Sequence, residues 1–233
     1  MRSPLILLIP AVISMLAGSA VGQDLRSKVS ISYSLTPTPN VTVTNNYSSR
    51  LTGMVITVSS TVAPYRRTEI IWFDSGINFR RDPPLESRAS RSFSVGPINQ
   101  APTLEPKLAA VAFEDGTSAG DQQWLSKLHA RRQAASDEIK AVTQLLNQAL
   151  AQHQPNEQII SSLDSMKASL RSSIPEIEAR IAAGLVIGTA VGNLERASAG
   201  GVIGDPQKTI PAVILPLFGQ WRGALKRYDR NIS

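Results

Sequence analysis

The sequence predicts an α+β protein: an N-terminal antiparallel β-sandwich followed by a C-terminal helical hairpin or bundle. Two observations carry this. Apolar residues alternate with a period of two between residues 28 and 114, and after Gly120 the apolar period becomes that of a helix. An apolar segment ahead of both regions predicts where the folded part resides.

That segment comes first in the chain. Met1-Arg2-Ser3-Pro4 is followed by an apolar run from Leu5 to Ala17 and by small residues at Gly18, Ser19, Ala20 and Gly22. A single positive charge, a short apolar core and small residues at minus three and minus one form a secretory signal, with the cut expected after Gly22. The run is shorter than the roughly 20 residues of a spanning helix, so an uncleaved anchor is the weaker alternative. The chain has no cysteine. This excludes thiol nucleophiles, thiolate metal sites and lipoprotein-type attachment, and it favours a bacterial periplasm or exterior over an animal secretory route. The glycosylation patterns at Asn40, Asn46 and Asn231 carry no weight in that setting.

Residues 23–120 form the expected β region. Val29, Ile31, Tyr33 and Leu35 alternate with serines, Val41 and Val43 with threonines, and Met54, Ile56 and Val58 keep the same period. Successive side chains of a strand point to opposite faces, so such alternation marks half-buried antiparallel strands. Ile70-Ile71-Trp72-Phe73 is apolar on both faces, as expected of a central strand, and further strands fit Ser90–Val95 and Lys107–Phe113. Turn chemistry at Pro37–Asn40, Asn45-Asn46, Asp74–Gly76, Asp82–Pro84 and Asp115-Gly116 separates these segments. Short strands at this spacing predict a small sandwich.

Residues 121–196 predict the helices. Leu125, Leu128, Ala135, Ile139, Val142, Leu146 and Ala149 fall on one stripe, which Arg132 interrupts. Pro155 ends that run, and Ile159, Leu163, Met166 and Leu170 make the next. Ser173-Ile174-Pro175-Glu176 has the form of a capping box, so a third helix is expected to start there. Residues 197–210 predict a loop, and residues 211–233 a basic amphipathic helix in which Pro216 kinks or delays the start.

Three features could carry function. Gly116-Thr117-Ser118-Ala119-Gly120 matches the elbow that presents a nucleophilic serine, between a strand and a helix. Only His129 and His153 could serve Ser118 as base, and the parallel sheet with crossover helices that this chemistry uses has no counterpart upstream. A polar turn leading to an N-cap near Asp121 is the preferred reading. Gly184, Gly188 and Gly192 recur every fourth residue and give one helix a smooth face; tight packing within the fold is the favoured reading, and pairing of two copies the second. In the last helix Leu217, Phe218, Trp221, Leu225 and Tyr228 alternate at helical spacing with Arg222, Lys226, Arg227 and Arg230. Docking on the body is preferred there, and contact with a membrane surface is the alternative. Two isolated histidines and scattered turn aspartates form no metal-ligand spacing, and nothing calls for a cofactor.

Formal charge is +6, spread over the doublets Arg66-Arg67, Arg80-Arg81, Arg131-Arg132 and Lys226-Arg227, which read as solvated surface. After export, the anionic partners available are envelope components or proteins rather than nucleic acid.

Val111–Thr117, Gly120-Asp121, Trp124-Leu125 and Arg131-Arg132, together with Asn45–Thr52, give residues 40–135 a resemblance to uncharacterised exported proteins of environmental bacteria, in which an immunoglobulin-like sandwich precedes helices. The resemblance implies that fold and an export route, and it brings no activity. The reading as a whole is an exported, non-enzymatic binding or structural protein of the periplasm or cell surface. Its expected partner is a protein or an envelope component, with peripheral membrane contact or a second copy also open. The alternatives are a serine hydrolase using Ser118 and a protein held at a membrane surface by its last helix.

Mass spectrometry of the exported protein should find Gln23, or its cyclised form, at the N-terminus; an intact Met1 in that fraction would refute cleavage.

Overall fold

The computed structural model describes residues 25, 27–34, 39–62, 65–78, 80–95, 104–199, 205–229 and 232. The signal segment 1–22, its cleavage site and Gly200–Gly204 of the expected loop lie outside these residues. Among the described residues, seven strands make two antiparallel sheets. One has the order β1 (Val29–Ser34), β2 (Asn40–Asn45), β5 (Ser90–Ser94). The other has the order β4 (Tyr65–Asp74), β3 (Leu51–Val62), β6 (Leu104–Phe113), β7 (Ser118–Gly120). Helices follow: α1 (Gln122–Ala151), α2 (Asn156–Ser173), α3 (Ile177–Ala199), a single turn α4 (Pro206–Thr209), a π-helical turn at Ile210–Ile214, and α5 (Leu215–Tyr228).

The alternation in sequence becomes the core between the sheets. Val29 of β1 and Val41 and Val43 of β2 share one buried cluster with Met54, Ile56, Val58, Ile71, Phe73, Val111 and Phe113 of the larger sheet. The larger sheet is also covered on its other face, where Val55, Ala110 and Leu125 are buried and Trp72 meets Trp124 of α1 edge-on at 5.9 Å. This corrects the expectation of a central strand at Ile70–Phe73. β4 is an edge strand, and it is apolar on both faces because one face meets the second sheet and the other meets α1.

The helices bury a separate core that includes Ile139, Val142 and Leu146 of α1, Ile159 and Leu163 of α2, and Val186 and Ile187 of α3. Asp121 caps α1 by accepting from the N–H groups of Gln123 and Trp124, and Pro155 precedes α2. The cap of α3 differs from the expected box. Ser173 is the last residue of α2 and donates to its own helix at Ser169, whereas the Glu176 carboxylate accepts the Ala179 N–H. The expected loop at 197–210 is shorter, because α3 continues to Ala199 and helix resumes at Pro206 behind an Asp205 cap. Pro211 lies inside the helical run. A proline ring cannot sit in a regular α-turn, and the π-helical turn, closed by Leu215 N–H to Ile210 O, accommodates Pro211 and leads into Pro216.

Arg132 is the residue that interrupts the α1 stripe, and it is fully buried. Its Nε donates to Asp74 at 3.0 Å, Nη2 to the Thr52 carbonyl at 3.0 Å, and Nη1 to the Tyr228 carbonyl at 2.7 Å. One guanidinium thus joins the larger sheet, α1 and the end of α5. Its neighbour Arg131 is also buried, lies over the Trp72 ring at 4.5 Å and is bonded to Glu178 of α3. The expectation that this arginine doublet is solvated surface is therefore overturned.

The terminal helix docks on the body. Leu217, Phe218, Trp221, Leu225 and Tyr228 are buried, and the Trp221 indole N–H donates to the Gly76 carbonyl at 2.8 Å. Trp221→Ala should therefore cost about 3 kcal/mol or more in denaturant unfolding, from the lost ring volume and the stranded carbonyl. An unchanged midpoint would show that the helix contributes nothing to the body.

Candidate functional site

Ser118 opens β7 and is exposed, with Ala112 of β6 as its register partner. The strand continues to Gly120, whose φ of +122° and 2.3 Å approach of a Cβ to the Ala109 carbonyl require glycine, and the turn to α1 comes at Asp121. The serine therefore stands in a sheet ladder, not on a strand-to-helix turn. The histidines are engaged elsewhere. His129 Nδ1 lies 2.5 Å from the buried Asp229 carboxylate, and His153 takes a positive φ in the turn after α1. Among the described residues no group of three or more His, Asp or Glu is placed to hold a metal ion.

The glycine face is not a packing seam. α3 packs through Ala182, Ala183, Val186, Ile187, Ala190 and Leu194, which are buried. A side chain at Gly188 would meet nothing within 4 Å, and at Gly184 only Leu170 at 3.9 Å. The expected close approach of two backbones within the fold is thus absent, because alanines occupy the inner face and the glycines turn outward.

The terminal helix brings a groove into being. Docking α5 against the middle of α1 leaves a cavity of about 480 Å³ lined by Ile139, Lys140, Thr143, Gln144 and Asn147 of α1 and by Leu215, Phe218, Gly219 and Arg222 of α5. The volume lies in the range of small-molecule sites. Ile139 and Phe218 are buried in the helical core, so the floor is apolar and fixed. The rim is polar and carries two cations. Lys140 contacts Asp137 at 3.5 Å. The Nε of Arg222 is buried and has no hydrogen-bond partner among the described residues. Of the residues singled out in the terminal helix, Arg222 enters this groove, Trp221 is buried beneath the helix, and Lys226 and Arg227 stay exposed. Lys140, Gln144 and Asn147 escaped the sequence reading. Their signal is a polar row at spacings of three and four directly beside the buried Ile139 row.

Glu138, one residue from the groove floor, is 8 % exposed and has a carboxylate oxygen without a partner among the described residues. Burial pushes its carboxyl above the usual range, with the neighbouring Asp137 charge adding to the shift. Comparison with protein-family models, curated proteins and solved structures finds no match, so function is argued from geometry alone.

A carboxyl raised in the folded state holds its proton more tightly folded than unfolded. Its contribution is fully present below the unfolded value and is lost as pH rises through the folded one. Glu138→Gln should therefore be more stable than the parent at neutral pH, with the difference shrinking as pH falls through the raised folded value and vanishing by the ordinary carboxyl value of the unfolded chain. A melting-temperature difference that is flat with pH would show that Glu138 is not desolvated.

Proposed function

We propose that the protein is an exported, non-enzymatic binding protein, and that its site is the groove between α1 and α5. Its ligand is a small amphiphile with an anionic head. The observation that carries this is Arg222 Nε, a buried cationic donor with no acceptor among the described residues, above an apolar floor. A buried polar group left unpaired is costly, and a carboxylate or phosphate in the groove would supply the acceptor. Lys140 on the opposite rim adds a second charge to the head, and the half-buried Leu215 offers apolar surface for a chain. The formal charge, +6 for the full chain and +5 once Arg2 leaves with the signal segment, favours the approach of such an anion.

The β region is read here as an immunoglobulin-like sandwich that serves as scaffold. The sheet orders β1-β2-β5 and β4-β3-β6-β7 support this. They are those of A-B-E and C′-C-F-G strands in that architecture, with the chain changing sheet at β2–β3, β4–β5 and β5–β6. Export is supported by the signal pattern at residues 1–22 and the lack of cysteine. An envelope amphiphile, such as a fatty acid or an acylated envelope fragment, fits both the compartment and the groove.

Decanoate, decanol and decyl phosphate distinguish a head-group site from an unselective apolar surface. A ligand that binds only the folded state raises its melting temperature with concentration. The two anions should do so, decanol should do so less, and Arg222→Gln should remove the preference without lowering the melting temperature of the free protein. Equal effects from all three compounds, or anion effects that survive Arg222→Gln, would refute the site.

A further inference from the structure

We infer that the outer face of α3 is a self-association surface, and that its occupant is a second copy of this chain packed antiparallel about a two-fold axis level with the midpoint between Leu185 and Gly188. Ile177, Ile181 and Leu185 are 59 %, 47 % and 42 % exposed and stand one turn apart on one side of the helix. They cannot turn inward, because the opposite side of α3 is packed on α1 and α2 through its alanines, Val186 and Ile187. Three large aliphatics in a continuous row are an interaction surface in search of cover. Along the same row, Gly188 leaves open space where a side chain would stand.

The row is self-complementary when two copies run antiparallel. Leu185 of one copy then lies over the open Gly188 of the other, and Ile181 over Gly192 once the exposed Arg196 side chain, 3.8 Å from a Cβ at Gly192, swings aside. Charge follows the same symmetry. Arg180 flanks the N-terminal end of the row, half-buried and donating to the Ile174 carbonyl at 3.3 Å, and the exposed Glu195 lies on the row at its C-terminal end. An antiparallel pair sets these unlike charges within a turn of each other at both ends, whereas a parallel pair would set like against like. A closed two-fold contact requires this kind of complementarity. A lipid bilayer is the other apolar cover to consider, since Ile177–Ala197 is long and apolar enough by composition to cross one. Only one side of that helix is free, however. It carries Glu195, and its flanks hold both signs of charge rather than the basic rim that an anionic membrane surface attracts.

Sedimentation equilibrium of the full protein, with vesicle flotation in parallel, tests this surface. The wild type should dimerise. Ile181→Asp and Leu185→Asp should each raise the dissociation constant about 10- to 100-fold, while the melting temperature of the dilute monomer is unchanged because both side chains are exposed there. Arg180→Glu and Glu195→Arg should each weaken the dimer, and the double exchange should restore it. A wild type that stays monomeric at about 100 µM, a dimer indifferent to Ile181→Asp, or a double exchange no tighter than the single ones would overturn the inference. Flotation with anionic vesicles that Ile181→Asp abolishes, without dimerisation, would overturn it in favour of a lipid surface.

Discussion

The Arg132 guanidinium is the interaction on which the arrangement of the two halves depends. It lies between β3, the end of β4, α1 and the last carbonyls of α5, and it donates to all three partners from full burial. Gly53 shows how closely the strand is drawn to it: a Cβ there would come within 2.6 Å of Arg132 Nη2. Asp74 also accepts the Gly76 N–H, which fixes the turn whose carbonyl receives Trp221. A buried pair of this kind does not by itself add stability over an apolar substitute, because both ions lose water. Its contribution is to fix geometry. Any other placement of α1 on the sheet would leave a buried charge and three backbone or carboxylate acceptors unsatisfied.

The consecutive arginines of α1 divide the work. They point about 100° apart around the helix. Arg132 faces the sheet end and α5, while Arg131 covers Trp72 and reaches Glu178 at the start of α3. His129, one turn earlier, meets Asp229 beyond the end of α5. A single stretch of four residues on α1 therefore sets the positions of the edge strand β4, of α3 and of α5. At the same end of the larger sheet, Arg50 and Glu114 lock the start of β3 to the end of β6, and this hydrogen-bonded pair raises the arginine above its ordinary value.

How much of this was legible in the sequence follows from the range of each interaction. The alternation of β2, buried at Val41, Val43 and Asn45, is a local signal and is realised directly. So are the Asp121 cap and the stripe of α1. Arg132 appeared only as a break in that stripe, because its partners are 58, 80 and 96 residues away in sequence. The glycines of α3 were assigned the wrong side of their helix for a similar reason. Spacing places Gly184, Gly188 and Gly192 on one face, but which face is inside depends on α1, and the competing alanine row has the same period. Ile71-Trp72-Phe73 looked central because a second covering layer, α1, cannot be seen in the strand itself. The groove was not legible at all, since one wall begins at Ile139 and the other at Leu215, and only docking of α5 makes them neighbours.

The groove is in turn a consequence of the buried guanidinium. α5 is fixed at two points two turns apart, by the Trp221 indole on Gly76 and by the Tyr228 carbonyl on Arg132. Those two anchors determine the rotation of the helix about its axis. The π-helical turn before it adds a residue to one turn and so re-phases everything downstream. With the rotation set, Leu215, Phe218 and Arg222 are the residues that face α1 beside Lys140. Arg222 is half-buried there, with its Nε shielded from solvent and without a hydrogen-bond partner among the described residues, and this is the observation on which the proposed anion site rests. The same seating of α1 leaves α3 with its alanines and Ile187 inward and with Ile177, Ile181 and Leu185 outward, so the groove proposed for an anion and the row proposed for self-association both trace back to how α1 sits on the sheet.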